Sequence, residues 1–417
     1  MMTLSEKYDA VIIGAGAAGL AAGSVCAQAG VSTLIIDRES RTGGILNQCI
    51  HNGFGLRYFK EELTGPEFAF RMSEKARNAG VSFALDSAVT KVKKLADGTF
   101  DLRVTSKKFG VKHINAKALL LAAGCRERTR GAIATPGGRP AGIFTAGAAQ
   151  KLLNCSGKLP GKSAVIVGSG DIGLIMARRL RWSGIEVKAV VEIMPYSAGL
   201  TRNVVQCLHD FNIPLYLSTS VVQINGKDRV ESVVAAPLDA NKVPDMSKAF
   251  TIPCDTVLFS VGLIPEMELA RQLDVKENPA TGGAEINSMY NTSVPGFFSA
   301  GNVLHVHDLV DFVAEEAEFA GKCMVDYLAS ATPGREFSAG AGKNLKYVIP
   351  NRFSPSSATR FLFRPTTVAD RAELKAIVNG ETVWQKKLLF VRPAEMIIAE
   401  VPADLLKNDV CFILEEM

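Results

Sequence analysis

Tyr8-Asp-Ala-Val-Ile-Ile13 is a short apolar run that stops at Gly14-Ala-Gly16-Ala-Ala-Gly19. Behind it, Ala18, Ala22, Val25 and Ala29 recur at i, i+4, i+7 and i+11, an apolar helical stripe built of small residues. Gly30 ends that helix, residues 31–36 predict a second strand, and Asp37 stands at its tip. The same order of elements returns later. Residues 164–167 run into Gly168-Ser-Gly170-Asp-Ile-Gly173, a helix reaches Gly184, and residues 185–191 lead to Glu192. Gly14 to Gly30 is 16 positions and so is Gly168 to Gly184; the acid follows the third glycine by 18 positions in one copy and 19 in the other.

Each copy has a later companion. Residues 118–124 form a buried strand ending in small residues, and residues 257–262 repeat the form 138 positions on. Between the first turn and Gly124 lies a polar meander: 89–95, a turn at Asp97-Gly98, then 100–105 and 111–114. Further on, Val313, Ala317, Ala320, Met324 and Leu328 keep helical spacing, with Glu315, Glu316, Glu318, Lys322 and Asp326 on the wet side. Asp308 or Asp311 is the expected N-cap of that helix. Ser338-Ala-Gly-Ala-Gly342 reads as a linker, followed by short strands at 345–349, 360–363, 373–378, 382–391, 396–401 and 410–414.

A strand, a Gly-x-Gly-x-x-Gly turn, a helix and an acid some 20 residues on form the dinucleotide fingerprint, and two complete copies make an unliganded coincidence remote. The first glycine permits the tight turn, the second lets a pyrophosphate approach the backbone, and the third brings helix against strand. The helix N-terminus offers free N–H groups to the phosphates, and the acid accepts from ribose hydroxyls. The predicted class is α/β: two Rossmann-like dinucleotide-binding domains, the second inserted in the first, plus a small C-terminal all-β domain. The expected bounds are 1–150 and 271–335 for the first domain, 151–270 for the second and 343–417 for the β domain.

Composition narrows this little. The chain is 47% hydrophobic and 21% charged, with a net charge of +5 and no run of like charge to track a phosphate backbone, so nucleic acid is not an expected partner. Asp9 and Asp37 enclose 27 uncharged residues, long enough for a membrane span, but five are glycine and the segment reads as strand, turn and buried helix. Eight cysteines without a CxxC pair, and no signal-peptide pattern, give a reduced cytoplasmic protein as the expectation.

With these motifs, residues 6–330 resemble the two-dinucleotide-binding flavoproteins of the pyridine nucleotide–disulfide oxidoreductase superfamily. Gly43-Gly44, residues 119–124 and Phe297-Phe-Ser-Ala-Gly301-Asn302 add to the likeness. The resemblance implies FAD in the first domain, at Gly14, Gly16, Gly19, Asp37, Arg38, Gly44, Val89, Gly124, Gly301 and Asn302. It implies NAD(H) in the second, at Gly168, Gly170, Gly173 and Glu192. Where the family usually has Asp for a ribityl hydroxyl, Asn302 keeps an acceptor oxygen. Stretches 43–55, 124–130 and 301–311 look like the FAD/NAD-linked subunits that accompany glycerol-3-phosphate-dehydrogenase-like flavoproteins, and like subunits of proline, hydroxyproline and opine dehydrogenase complexes. The departures concern disulfide chemistry. The slots of the glutathione-type CxxxxC hold Leu46 and His51, and the last histidine is His307, too early for the C-terminal His–Glu pair.

Cys49 and His51 lie in the loop the family turns toward the flavin, where a thiolate could form an adduct and an imidazole move a proton. They equally fit a small buried hydrophobe and a satisfied polar group. His305, His307, Asp308 and Asp311 invite a metal reading, but with no further ligand in view no metal is expected. Cys49, His51 and His307 are therefore the catalytic candidates. The expected activity is hydride transfer between NADH and FAD, an orientation effect with the reacting atoms about 3–3.5 Å apart. Electrons would be exchanged with a partner dehydrogenase or iron–sulfur subunit, in a homo- or hetero-oligomer. The alternatives are direct dehydrogenation of a small molecule and a non-catalytic FAD-binding subunit for assembly or redox sensing.

Overall fold

The computed structural model describes residues 5–330 and 334–417. Residues 1–4 and 331–333, which the expected first-domain bounds include, lie outside the described residues. The chain divides into two units: Met1–Cys125 with Pro265–Met417, and Arg126–Ile264.

The first unit is built on a seven-stranded sheet. Its path runs Ser82–Ala84, Thr33–Ile36, Lys7–Ile13, Gly110–Leu121, Phe100–Ser106, Ser87–Lys94. Strands on the Lys7–Ile13 side are parallel and the meander is antiparallel. Gly110–Leu121 is one strand where the sequence pattern predicts two pieces, because each half has its own partner. Its first half pairs with Phe100–Ser106, and Leu119–Leu121 pair in parallel with Phe297–Ser299. Helix Ala17–Gln28 carries almost only small residues, which lets helix Val310–Leu328 pack directly on it. At the closest approach, a Cβ on Gly321 would stand 2.8 Å from the Ala22 carbonyl oxygen.

The C-terminal part of this unit has its own core. A five-stranded and a three-stranded sheet enclose Phe353, Phe361, Phe363 and Phe412, with the Phe412 ring centroid 4.8 Å from those of both Phe361 (tilted) and Phe363 (edge-to-face). The expected linker at 338–342 is largely a strand instead. Phe337–Ala341 pairs with Val410–Glu416 and with Arg352–Phe353, a pairing made by backbone groups and therefore blind to side-chain size.

The second unit has five parallel strands in the order Leu215–Tyr216, Glu186–Val191, Ser163–Val167, Thr256–Phe259, Ile143–Thr145. A three-stranded antiparallel sheet completes it. The unit begins before residue 151 because Ile143–Thr145 hydrogen-bonds with Thr256–Phe259. Among the described residues, no helix is long and apolar enough to cross a membrane.

Candidate functional site

The two fingerprint turns share one construction. Gly14 has φ +113°, and an added Cβ would stand 2.3 Å from the Ala122 carbonyl oxygen; at Gly168 the values are +91° and 2.2 Å from that of Ser260. In both turns the acid at the tip of the next strand closes back on the chain. Asp37 accepts the N–H groups of Ala15 (2.6 Å) and Glu39 (2.8 Å). Glu192 accepts the N–H (2.8 Å) and hydroxyl (2.6 Å) of Ser169 and the N–H of Met194 (2.9 Å). Each acid thus holds the residue between the first two glycines and the one two places after itself.

The copies differ in how open they are. A Cβ on Gly16 would meet nothing within 4 Å, whereas one on Gly170 lies 3.3 Å from Ser260 Oγ. Neither helix is capped by the side chain of its N-cap residue, so N–H groups at each start can meet an incoming anion, although in the second helix Gly173 N–H already donates to Ser260 Oγ (3.1 Å). The Gly43-Gly44 pair sits on the first turn. Gly43 N–H donates to Ala15 O (2.7 Å), and a Cβ on Gly44 would be 3.2 Å from Gly16 Cα. An open glycine, uncapped N–H groups and a partly solvated carboxylate suit a pyrophosphate and a ribose. Of the other implied contacts, Arg38 is exposed, Val89 and Gly124 are half-buried, and Gly301 is buried beside Ala18.

Cys49 follows the 3-10 turn Gly44–Gln48 and donates to Ile45 O (3.4 Å). His51 Nδ1 lies 3.0 Å from Asn52 O, and its ring rests on Phe54. Both residues are half-buried. The loop after them is held from the far end of the chain: the Asp311 carboxylate accepts the N–H groups of Gly55 (3.1 Å), Arg57 (2.9 Å) and Tyr58 (2.7 Å). Neither expected N-cap acts as one. Leu309 precedes the helix without a side-chain cap, Asp311 serves the loop, and Asp308 pairs with Arg364 (2.7 Å) and accepts from Met396 N–H (2.7 Å).

The larger correction concerns Glu316. Expected on the wet side, it is 4% exposed and lies between two histidines. Its Oε2 is 2.7 Å from His305 Nε2 and 3.1 Å from His307 Nε2, while Oε1 accepts the N–H of Gly301 (2.8 Å). Two histidines and a carboxylate with ligand atoms within 4.8 Å form a group that could take a metal ion, so the expectation of no further ligand fails at this residue. Asn302 Oδ1 accepts from His307 N–H (3.1 Å), so the acceptor foreseen for a ribityl hydroxyl already serves the protein. Cys125, which carries no signal in the sequence, donates to Asn302 O (2.8 Å).

Burial pushes the His305 pKa down, and the charge of His307 adds to that. Burial would raise the Glu316 carboxyl, but His307 and His305 hold it well below the usual carboxylate range. Both groups bind a proton more readily when unfolded, so their stabilisation is full above the ordinary values, 6.5 and 4.5, and is lost progressively below these as pH falls through the lower folded values. The melting temperature is expected to fall between about pH 7 and pH 5, with His305 contributing up to ~1.4 kcal/mol per pH unit. Melting curves of wild type and His305→Gln test this. An unchanged slope in the variant would remove His305 from the account.

The profile of the pyridine nucleotide-disulphide oxidoreductase family matches residues 8–321. The chain is 27% identical over 321 residues to hydrogen cyanide synthase subunit HcnB of Pseudomonas protegens, covering 71% of this chain and 66% of that protein. It is 26% identical over 307 residues to a thioredoxin reductase of Treponema pallidum (72% and 90% covered). With an opine oxidase subunit of Agrobacterium tumefaciens it shares 25% over 294 residues (64% and 54%). The match therefore spans just under two thirds of the first relative's length and about half of the last. Among solved structures, thioredoxin reductase of T. acidophilum superposes with a TM-score of 0.64 at 24% identity, covering 78% of this chain and 99% of that one, a likeness of fold. Two fingerprint turns closed by their acids, in a sequence that the profile matches over most of its length, establish that the chain belongs to the pyridine nucleotide-disulphide oxidoreductase family of flavoprotein oxidoreductases.

Proposed function

We propose that the protein transfers a hydride between NADH and FAD and passes the electrons to a partner protein. The carrying observation is the doubled turn: the same acid-closed fold of Gly-x-Gly occurs once in each unit. The first, with open Gly16 and half-buried Asp37, is the FAD turn, completed by Gly19, Gly44, Gly124, Gly301 and Asn302. The second, with Glu192, takes NADH. Bound flavin supplies two-electron chemistry; the chain's part is to bind, orient and exclude water. The partner rests on the relatives named as subunits, and the absence of dithiol chemistry rests on Leu46 and His51 in the slots of the family's cysteines.

The described residues include all eight cysteines, and no disulfide joins any two of them. With Leu46 and His51 in the family's cysteine slots, anaerobic titration is expected to consume about one equivalent of NADH per flavin, two electrons, with none taken up by cysteines. Flavin released from the protein should chromatograph as FAD. A stoichiometry near two would show a dithiol after all, and FMN would remove the adenosine that Asp37 is assigned to hold.

A further inference from the structure

Gly301 and Asn302, both assigned to the flavin, are held from behind by groups that no substrate can reach. The side chains of His305 and His307 are 0% exposed. Hydrogen placement follows from the partners. His307 Nδ1 faces the carbonyl oxygen of His305 (3.1 Å) and its Nε2 faces the Glu316 carboxylate (3.1 Å). Both partners accept, so both ring nitrogens must carry hydrogen. His305 differs. Its Nε2 donates to Glu316, while its Nδ1 stands 3.4 Å from the Tyr347 hydroxyl, which Arg364 also bonds. A donor series from Arg364 through Tyr347 and His305 to the carboxylate is satisfied with His305 neutral. The Tyr290 hydroxyl reaches Glu316 as well.

We infer that Glu316 is a positioning residue for the Gly301–Asn302 turn, kept as a carboxylate by neutral His305 and doubly protonated His307. Its Oε1 fixes the Gly301 N–H directly, and through the His307 ring it holds the residue whose backbone N–H donates to Asn302 Oδ1. Gly301 cannot retreat on its other side, where a Cβ would lie 2.7 Å from that of Ala18. Tyr347 and Arg364 belong to the C-terminal β strands, which gives those strands a role in shaping the turn. A proton fits better than a metal. Ligands at about 2.0–2.2 Å from a tetrahedral ion would stand roughly 3.3 Å apart, whereas His305 Nε2 and Glu316 Oε2 are at hydrogen-bond distance, 2.7 Å.

The flavin part of this inference rests on the proposed function, and the test separates the two. Nitrogen-15 NMR of the histidine-labelled protein as purified, at neutral pH, should show one histidine, absent in His307→Asn, with hydrogen on both ring nitrogens. A singly protonated His307, or a stoichiometric transition metal by elemental analysis, would overturn the inference. Glu316→Gln offers too few acceptors for its donors and should raise the FAD dissociation constant on the order of ten- to a hundredfold. At saturating FAD its KM for NADH should stay near that of the wild type. Met324→Ala, in the same helix, opens a cavity without touching the turn, and should lower the melting temperature while leaving FAD affinity within about twofold. Equal FAD loss in both variants would reduce Glu316 to a packing residue. Unchanged affinity in Glu316→Gln would refute the positioning role. Wild-type protein that takes up no flavin would sink the proposed function, while the NMR still reads the proton arrangement.

Discussion

Gly19→Ala is expected to give protein that has lost nearly all of its flavin. The added Cβ would stand 1.8 Å from the Gly14 carbonyl oxygen and 3.0 Å from its carbon, backbone atoms that no rotamer change can move aside. Gly14 has no room to yield, because it is itself pressed against Ala122. The start of helix Ala17–Gln28 would have to swing outward, against the close approaches at Gly301 and Gly321. Overpacking of this kind costs ~1–3 kcal/mol or more in stability. Displacing the helix N–H groups should weaken FAD binding on the order of a hundredfold. Gly30→Ala is the control. Its φ of +80° makes alanine unfavourable, but nothing lies within 4 Å, so it should keep its flavin. The ratio of flavin to protein absorbance decides the matter, and full flavin in Gly19→Ala would mean that the first turn is not the flavin site.

NADH is expected to be preferred over NADPH by on the order of 10–1000-fold in kcat/KM, the second large effect. Glu192 is buried and spends three acceptor positions on Ser169 and Met194, which leaves room for a ribose hydroxyl. A 2′-phosphate there would meet the carboxylate, and like charges ~4 Å apart cost about 4 kcal/mol at an effective dielectric of ~20. Relief must come from nearby cations. Lys188 is paired with Glu186 at 2.7 Å, while Lys242 Nζ reaches Met194 Sδ at 3.6 Å. Lys242→Ala should therefore widen the gap a few-fold. Substituting Glu192 itself would disturb the turn it closes, so Ile193→Arg is the cleaner gain of charge, since Ile193 is 50% exposed. That variant should narrow the gap about tenfold. A wild type that favours NADPH would show that the ribose does not lie at Glu192.

The elements whose signal is periodic and local are legible from residues alone. Both turns, the helix at 310–328 and the C-terminal strands follow from spacing that the fold merely carries out. What the spacing misses is long-range. Glu316 reads as a solvated residue because it is charged, although it falls three after Val313 and four before Ala320, on the apolar stripe. A charge at a stripe position is the signal that points to its burial. Its partners, His305 and His307, lie nine and more residues away, and nothing in their spacing says that the three meet. Asp311 misleads in the opposite way. It has the chemistry of an N-cap and the position of one, yet it binds a loop more than 250 residues earlier in the chain. The stretch 338–342 lacks the side chains that mark strands, and only its neighbours make it one.

The first unit's sheet takes strands from the chain before and after the second unit. Arg126–Ile264 is contiguous, so every strand of its two sheets has been synthesised before Phe297–Ser299 exists. During synthesis Leu119–Leu121 must wait for that partner, and the small-residue face of helix Ala17–Gln28 must wait for Val310–Leu328. The inserted unit can mature first, as contiguous domains do on the ribosome. The apolar strand and glycine turn assigned to FAD, though made before the inserted unit, are then enclosed after it.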